Sequence, residues 1–289
     1  MPGDSDEIAV VVVAYGAEDL LRESLTPVAG AFETYVVDNS ASETVREVSR
    51  QFGARYLRPA RNVGFAAGVN TALTKIELPR DVLLLNPDAR ITADRVRQLH
   101  RKLHDGGPRV AAVAPRLRRF DGSIERTSWP IPSPMLSIAN AAGIAKRLRW
   151  RTFLSGAVLL LSGEALEDVG PFDARFFLYA EESDWQLRAL RRGWSVAEVG
   201  DVEAQHVGAG TSSDPELRER LFHASAEIFV RKWYGSWGWS VFRIGSILTA
   251  ARRAFWSRGG DRRRELRTLR RYLTGPARAL PPWARALGP

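Results

Sequence analysis

Acidic side chains stand where two predicted strands end. Asp38 closes the apolar run Thr34–Asp38, and Asp88 follows the run Asp81–Leu85. Ligands of open parallel sheets bind at the carboxyl ends of the strands. A carboxylate there can accept hydrogen bonds from a base or ribose, or coordinate a divalent metal. Asp is also a common cap or turn residue, but two such residues on alternate strands favour a ligand site.

A second group of acids lies in Glu181-Glu182-Ser183-Asp184, at the start of a predicted helix. The helix dipole favours acids there, so a capping role is one explanation. Aromatic residues surround this segment in the sequence, and carboxylates among aromatic rings are candidates for a raised pKa and general-base catalysis. A lone histidine, His206, precedes a glycine-rich loop at 208–211. It is either a structural residue or the nitrogen ligand of a metal held by Asp88.

A glycine-rich helix start, Arg61–Asn70, lies between these two strands. Glycines at a helix start allow a phosphate or sugar to approach the backbone, and Arg61 offers a planar set of donors. A packing role for the glycines is equally consistent with this pattern.

The elements that would position these residues alternate in type, and alternating strands and helices predict a Rossmann-like, mostly parallel sheet flanked by helices. The short, β-branched run Ile8–Ala14 is typical of a strand buried on both faces. Further strands are predicted at Arg55–Leu57, Val110–Ala114, Leu154–Leu161 and Val196–Val199, and helices at Glu18–Thr26, Ser42–Phe52, Gly64–Lys75, Thr92–His104, Glu181–Arg192 and Pro215–Trp233.

Taken together, these segments resemble glycosyltransferase family 2, the inverting group with the GT-A fold. The resemblance covers about residues 8–235 and is most like the bacterial rhamnosyltransferase branch. Each motif is modest alone, but the ordered set is highly specific. The matching segments, in order, are Val10–Tyr15, Val37–Ser40, Arg61–Asn70, Leu84–Asp88, Leu154–Ala157, Phe172–Asp184 and His206.

The resemblance implies a role for each matching position. Glu182 would be the general base, with Glu181 and Asp184 supporting it or contacting the acceptor. Asp88 and His206 would hold Mg²⁺ or Mn²⁺ against the diphosphate of the donor. The implied donor-binding residues are Ala14, Tyr15, Asp38, Asn39, Arg61, Asn62, Gly64, Gly68, Asn86 and Asp88, and the implied acceptor-side residues are Ser155, Gly156 and Trp185.

Three positions depart from the family pattern. Tyr15-Gly16 stands where the family usually has Tyr-Asn, and Glu181-Glu182 stands for its Glu-Asp base motif. Asn86 replaces the first acid of the metal motif, which leaves Asp88 as its single carboxylate. The base therefore has two candidates, Glu182 and Asp184.

Net charge divides the chain into two parts. The 289 residues carry a net charge of +9, but twelve arginines and two acids lie from Arg243 onward, so the preceding residues are close to neutral. We predict a GT-A domain at 1–235, with a donor half at about 1–115 and a catalytic half at 116–235. The remaining 236–289 form a basic amphipathic helical tail, in which an apolar face with Trp at its boundary is typical of membrane-surface helices.

Location and partners follow from the same features. The acidic start predicts no signal peptide, no stretch reaches the length of a membrane span, and the absence of Cys excludes a disulfide framework. We expect a cytoplasmic protein, peripheral on the inner face of the membrane, with an anionic membrane as the partner of the tail. Nucleic acid is the alternative partner of the tail, and we do not expect it. Packing of the tail on the protein's own body is a third option that the sequence leaves open. The sequence is also compatible with a homodimer.

The reaction expected is transfer of a sugar from a nucleotide diphosphate to an acceptor hydroxyl, with inversion. Rhamnose from dTDP-rhamnose is the first choice of donor, and a glycan or polyprenyl-diphosphate-linked glycan is the acceptor. The alternatives are a UDP-sugar-dependent transferase acting on a polysaccharide or secondary metabolite, a nucleotidyltransferase, and a non-catalytic nucleotide-sugar-binding subunit. A nucleotidyltransferase needs a basic glycine-rich loop after the first strand, and Tyr15–Asp19 lacks one.

Overall fold

A computed structural model describes residues 7–107, 109–208 and 214–279. Its described residues fall into two compact units. The first lies within 1–129, 153–174 and 181–213, and the second within 130–152, 175–180 and 214–289. The predicted glycine-rich loop after His206 lies outside the described residues from residue 209 onward.

The first unit is built on a mixed sheet, and its elements come in the following chain order. They are β1 (Ile8–Ala14), α1 (Glu18–Leu25), β2 (Glu33–Asp38), α2 (Glu43–Gln51), β3 (Arg55–Leu57), α3 (Gly64–Leu73), β4 (Asp81–Leu85), β5 (Ala89–Arg90), α4 (Ala93–Asp105), β6 (Val110–Arg118) and β7 (Ile124–Glu125), then, beyond the insertion that belongs to the second unit, β10 (Val158–Leu161), α6 (Gly163–Val169), α7 (Glu181–Arg191) and β11 (Ser195–His206). Two short strands at the junction, β8 (Ser128–Pro130) and β9 (Thr152–Leu154), pair with each other in a separate sheet.

The main sheet has the strand order β3-β2-β1-β4-β10-β6-β11-β5, with β7 paired to β6. Strands β3, β2, β1 and β4 are parallel, as the alternation of strands and helices predicts. Strand β10 then runs antiparallel to both β4 and β6. The α/β fold class is confirmed, and the antiparallel strand in the middle of the sheet is a feature that the sequence pattern did not predict.

Two apolar cores lie on opposite faces of this sheet, because successive strand residues point to opposite sides. From β1, Val10 and Val12 enter one core with side chains of α1, α2 and α4. Ala9 and Val11 enter the other with side chains of α3, α6 and α7. The helices thereby fix the strand ends that carry the polar residues.

The second unit is helical. It contains α5 (Pro134–Ala141), α8 (Pro215–Trp256) and α9 (Gly259–Thr274), with short 3₁₀ turns at Ala145–Arg147 and Pro276–Ala279. Helix α8 has one non-helical residue, Gly235, with φ 65° and ψ −169°. The predicted boundary between catalytic domain and tail therefore falls at a kink inside a helix, and it stays a prediction.

The basic tail is partly engaged within the second unit. Tyr272 is buried, and its hydroxyl lies 3.1 Å from Nδ1 of His223. Glu219 accepts hydrogen bonds from Arg264 (2.8 Å) and Arg271 (2.7 Å). Part of the tail therefore packs on its own unit, which is the option that the sequence left open.

Other tail residues present apolar side chains to solvent. The exposed ones on α8 are Trp237, Ile244, Leu248, Phe255 and Trp256. These five apolar side chains of the basic tail are therefore exposed along α8. Among the described residues, no helix is both long enough and apolar enough to cross a bilayer.

Candidate active site

The carboxyl ends of β1 and β2 lie side by side, as predicted. Ala14 pairs with Asp38 across β1 and β2, and the Asn39 amide donates to the Ala14 carbonyl at 2.8 Å. Asp38 is buried, and both of its oxygens accept hydrogen bonds from the backbone amides that follow it, those of Ser40 and Ser42, at 2.8 Å each. The carboxylate therefore orders the turn after β2, and its predicted contact with the nucleoside stays a prediction.

Tyr56 is a further member of this end of the sheet that the sequence did not indicate. Its hydroxyl donates to Oδ2 of Asp38 at 2.9 Å. Burial and the hydrogen bond to Asp38 raise the pKa of Tyr56 to about 12, so the hydroxyl stays protonated and remains a donor. Parallel pairing of β2 with β3 places this residue, and a lone tyrosine on a three-residue strand carries no sequence signal for it.

Asn39 fixes the loop that precedes α3. Its side-chain amide donates to the Gly64 carbonyl at 3.0 Å and accepts from the Val63 amide at 3.2 Å. Gly64 has φ +82°, a left-handed conformation that glycine adopts without strain. Asn62 accepts from the Gly64 amide at 3.0 Å. This loop therefore presents its exposed Arg61 beside the end of β2.

Gly68 has a packing reason that the sequence left open. It is buried, and an added Cβ would lie 2.9 Å from Cγ1 of Val13 on β1. The absence of a side chain allows α3 to lie directly on β1. The structure thus supports close helix–strand packing at Gly68, and its predicted place in the lining of the donor pocket stays a prediction. Tyr15, by contrast, is exposed at the end of β1.

The ends of β4 and β11 bring Asp88 and His206 together. His206 pairs with Ala89 across β11 and β5, and the Val207 amide donates to the Asp88 carbonyl at 2.9 Å. Asp88 Oδ1 lies 3.4 Å from His206 Nε2, with both side chains buried. The two residues predicted to share a metal are neighbours despite a separation of more than a hundred positions in the chain.

Glu125 is the third group of this cluster, and the sequence did not indicate it. His206 Nδ1 lies 3.0 Å from Glu125 Oε2 on β7. Burial lowers the pKa of His206, but the hydrogen bonds and charges of Asp88 and Glu125 outweigh that effect and raise it above its usual value. Glu125 lies on a two-residue strand, so no periodicity could have marked it in the sequence.

The donor set fits a divalent cation. Two ligand atoms on one metal at about 2.0 to 2.2 Å lie roughly 3 to 3.5 Å apart, and the Asp88–His206 separation of 3.4 Å falls in that range. Glu125 on the opposite nitrogen is the carboxylate partner that commonly orients a metal-bound histidine. Asp88 and His206 would therefore hold the cation, and their ligand roles stay predictions.

The predicted acceptor-side turn lies next to the carboxylate pair. Ser155-Gly156 connects β9 and β10, and the Asn86 amide donates to the neighbouring Ala157 carbonyl at 2.9 Å. An added Cβ on Gly156 would lie 3.9 Å from Cβ of Glu182. The end of β4 and the start of α7 are thus joined through this turn.

Glu181 and Glu182 form a buried, interacting pair. Burial, then the charge of Glu182 and the hydrogen bond to it, raise the pKa of Glu181 well above its usual range. Burial also raises the pKa of Glu182, but the helix-start amides, the hydrogen bond from Glu181 and the Gly156 amide oppose this rise. Both carboxyls therefore favour the protonated form more than an exposed Glu does, and this tendency is stronger for Glu181.

Among the described residues, one oxygen of each carboxyl has no hydrogen-bond partner: Oε2 of Glu181 and Oε2 of Glu182. A buried acceptor without a partner is costly, of the order of 1–3 kcal/mol. The backbone that leads into the pair is also strained, since Tyr179 and Ala180 have φ values of 70° and 69°. Costs of both kinds are typical of functional sites.

Two predicted site residues of α7 lie in the protein core. Trp185 is fully buried, stacks on Phe172 at 5.8 Å and donates to the Gly170 carbonyl. Its burial opposes the predicted contact with an acceptor. Asp184 is also fully buried, and its Oδ2 accepts from Arg188 at 3.2 Å. This ion pair makes Asp184 the weaker of the two candidate bases.

Asn70 connects the two halves of the site. Its side chain donates to the Phe172 carbonyl at 2.8 Å and accepts from the Phe172 amide at 2.9 Å. The Asn70 side chain thus satisfies both backbone hydrogen-bonding groups of Phe172, as a paired strand residue would. Asn70 is the last residue of the glycine-rich motif in the sequence. The motif therefore indicated Asn70, but it did not indicate that the side chain bonds the Phe172 backbone.

Comparison with known proteins agrees with this geometry. The family described as "Glycosyl transferase family 2" matches residues 9–170. A hexosyltransferase of low-salt glycan biosynthesis from Haloferax volcanii is 26% identical over 211 residues, which are 70% of this chain and 67% of that protein. An N-acetylglucosaminyl-diphospho-decaprenol L-rhamnosyltransferase from Mycobacterium tuberculosis is 27% identical over 267 residues, 81% of this chain and 87% of that protein.

A solved structure shares the fold. A mannosyltransferase from Pyrobaculum calidifontis, in complex with GDP-Man and Mn²⁺, superposes with a TM-score of 0.55 at 15% identity. The superposition covers 97% of this chain and 84% of that one. With a family match over more than half of its length and this fold, the chain belongs to glycosyltransferase family 2 and is a GT-A glycosyltransferase.

Proposed function

We propose that this glycosyltransferase transfers a sugar, with inversion, to a hydroxyl of a polyprenyl-diphosphate-linked glycan. The donor that we favour is dTDP-rhamnose, so the sugar transferred is rhamnose. The observation that carries the mechanism is the buried Glu181–Glu182 pair at the start of α7, beside the turn that adjoins the end of β4. The Mycobacterium rhamnosyltransferase, matched over 81% of this chain, supports the choice of donor and acceptor.

In this proposal, the oxygen of the acceptor hydroxyl attacks the anomeric carbon as the bond to the diphosphate breaks. Glu182 takes the hydroxyl proton, and the electron pair of the broken bond leaves with the nucleoside diphosphate. One displacement from the opposite face inverts the anomeric configuration. A divalent cation at Asp88 and His206, when bound, neutralises charge on the diphosphate.

Donor choice is tested with a panel on the full chain. Turnover is measured with dTDP-rhamnose, UDP-glucose, UDP-galactose and GDP-mannose, with and without Mn²⁺, on an N-acetylglucosaminyl-diphospho-polyprenol acceptor. We expect dTDP-rhamnose to give the highest kcat/KM and Asp88→Asn to reduce the response to Mn²⁺. Turnover restricted to a UDP-sugar favours the alternative donor, and no transfer from any of the four rejects the proposal.

We also propose that the second unit binds an anionic membrane, which would bring the enzyme to a lipid-linked acceptor. Exposed Ile244, Leu248, Phe255 and Trp256 supply apolar side chains along α8, and the neighbouring arginines include Arg252 and Arg253. Such basic, apolar helix faces insert at the boundary between headgroups and acyl chains.

Substitution is the suitable test of this surface. Removing residues after 240 would take away Phe242, Ala250 and Tyr272, which are buried in the second unit. The double variant Phe255→Ser/Trp256→Ser changes two exposed side chains and leaves that core intact. We expect it to lose most flotation with vesicles of anionic phospholipid, while Phe120→Ser, also exposed but in the first unit, floats as wild type. Equal flotation of all three rejects membrane binding through α8.

A further inference from the structure

Two histidines and an aspartate converge at the amino end of β4, away from the residues described so far. Asp81 is the first residue of β4, and His100 and His104 lie one turn apart on α4. His100 Nε2 and His104 Nε2 lie 3.0 Å and 2.8 Å from the same oxygen, Oδ2 of Asp81. The strand between Asp81 and Leu85 separates this cluster from the donor end by roughly 13 Å.

The aspartate is held in place by a neighbouring element. Its other oxygen, Oδ1, accepts from the Gly163 amide at the start of α6 at 2.8 Å. An added Cβ on Gly163 would lie 2.5 Å from the Arg80 amide, so α6 begins directly against the residue that precedes Asp81. Asp81 and His100 are largely buried. The carboxylate and one imidazole are thus positioned in advance, which metal sites require of their ligands.

A fourth donor lies on the solvent side. Glu7, just before β1, has Oε2 at 3.9 Å from His100 Nε2. The side chains of Glu7 and His104 are 59% and 57% exposed, so both can shift by a few tenths of an ångström and leave an open path for an ion. The ligand atoms of Asp81, His100 and His104 already lie within 4.8 Å of one another.

The chemistry of the four donors selects the metal. Two imidazole nitrogens and two carboxylate oxygens suit tetrahedral Zn²⁺, whereas Mg²⁺ and Ca²⁺ prefer oxygen ligands alone. Two neutral imidazoles and two carboxylates also balance the charge of a divalent ion. We propose that Asp81, His100 and His104, with Glu7 as fourth donor, bind one Zn²⁺ that ties β4 and α4 to the start of β1.

The expected effect is on stability and does not depend on the sugar-transfer proposal. A ligand that binds the folded state alone stabilises it by RT ln(1 + [L]/Kd). Zinc bound here would join Glu7, the start of β4 and the last turns of α4. The ion would act at the end of the sheet opposite to Asp88 and His206, so its loss is expected to change unfolding more than turnover.

The test uses full-length protein stripped of metal, in a His206→Gln background that removes the histidine of the other candidate metal site. Zinc is titrated by calorimetry, and bound zinc is counted by elemental analysis after dialysis. The background variant is expected to bind one Zn²⁺, and adding His104→Gln to weaken binding by at least about 100-fold, the upper end for loss of an outer-sphere partner. His104 is chosen because it is exposed, whereas a change at Asp81 could disturb the fold.

Two further measurements keep the result interpretable. Circular dichroism of the His104→Gln variant checks that the fold is unchanged, and His223→Gln in the same background is the matched histidine control in the second unit. X-ray absorption of the zinc-loaded protein should show nitrogen and oxygen ligands at about 2.0 to 2.1 Å. Absence of stoichiometric zinc, or equal affinity with and without His104, overturns the proposal.

Discussion

Replacing Glu182 with Gln separates the chemistry of the carboxylate pair from its cost to stability. The variant keeps the size of the side chain and removes the group that accepts the acceptor's proton. Loss of a general base typically lowers turnover 10²- to 10⁴-fold, or about 2.7 to 5.4 kcal/mol in the barrier. Donor binding should be little changed, since most of the predicted donor-binding residues lie at or near the ends of β1, β2 and β4.

The same substitution should raise thermal stability. Burial raises the pKa of Glu182 and of its partner Glu181 above the values of the unfolded chain. Their folding contribution is therefore most favourable at low pH and is lost as pH rises through the folded-state pKa. A neutral Gln removes this loss, so the gain in Tm over wild type should be greater at pH 8 than at pH 5.

The assay measures kcat, KM for donor and Tm on three variants: Glu182→Gln, Glu181→Gln and Glu164→Gln. Glu164 is an exposed glutamate on α6 and is the matched control. Because the pKa of Glu181 is raised more strongly and Glu182 is the proposed base, Glu181→Gln should lose far less turnover than Glu182→Gln. Turnover of Glu182→Gln within a few-fold of wild type, or equal losses at both positions, would refute the assignment of base and acid.

Three other changes test the packing. Gly68→Ala should destabilise the first unit by about 1–3 kcal/mol, because the added Cβ would lie 2.9 Å from Cγ1 of Val13. Urea unfolding should show that Val13→Ala relieves much of this loss, and additive effects of the two substitutions on the free energy of unfolding would contradict the contact. Asn70→Ala leaves the Phe172 backbone groups unpaired and should cost about 2 kcal/mol or more, whereas a Tm equal to that of wild type would argue against the bridge. Burial lowers the pKa of His223 to about 4, so the second unit should lose about 2 to 3 kcal/mol as pH falls from 6.5 to 4; His223→Gln should flatten this part of the Tm profile, and an unchanged profile would count against burial as the cause.

The parallel half of the sheet was predictable because its strands are apolar on both faces. The runs at β1, β2 and β4 and the acids that follow them fixed which residues meet at one edge. Asp38 ends β2 and Asp88 follows β4, at the strand ends that this argument indicated, and their roles stay predictions. Such strands are marked by short, continuous β-branched apolar runs that end at polar turn residues, because burial on both faces removes the alternation of a half-buried strand.

The remainder depended on long-range pairing that local patterns do not encode. Leu154–Leu161 is one apolar run in the sequence, but Ser155-Gly156 divides it, and only its second half enters the sheet. Tyr56 and Glu125 contact Asp38 and His206 from strands of three and two residues. Trp185 and Asp184 lie next to Glu182 in sequence, yet the helical turn directs them into the core. Sequence proximity on α7 therefore did not indicate which side chains lie in the core.

The position of β10 has a consequence for how the chain folds during synthesis. One edge of β4 pairs with β1, and the other pairs with β10. This second edge stays unpaired until Val158–Leu161 has been made, some seventy residues after β4 itself. The same strand pairs with one edge of β6, whose other edge pairs with the later strand β11. Until then the nascent chain carries two incomplete strand edges, which are prone to pairing with other chains. We therefore expect a fragment that ends near residue 115, the predicted donor half, to aggregate because it lacks β10.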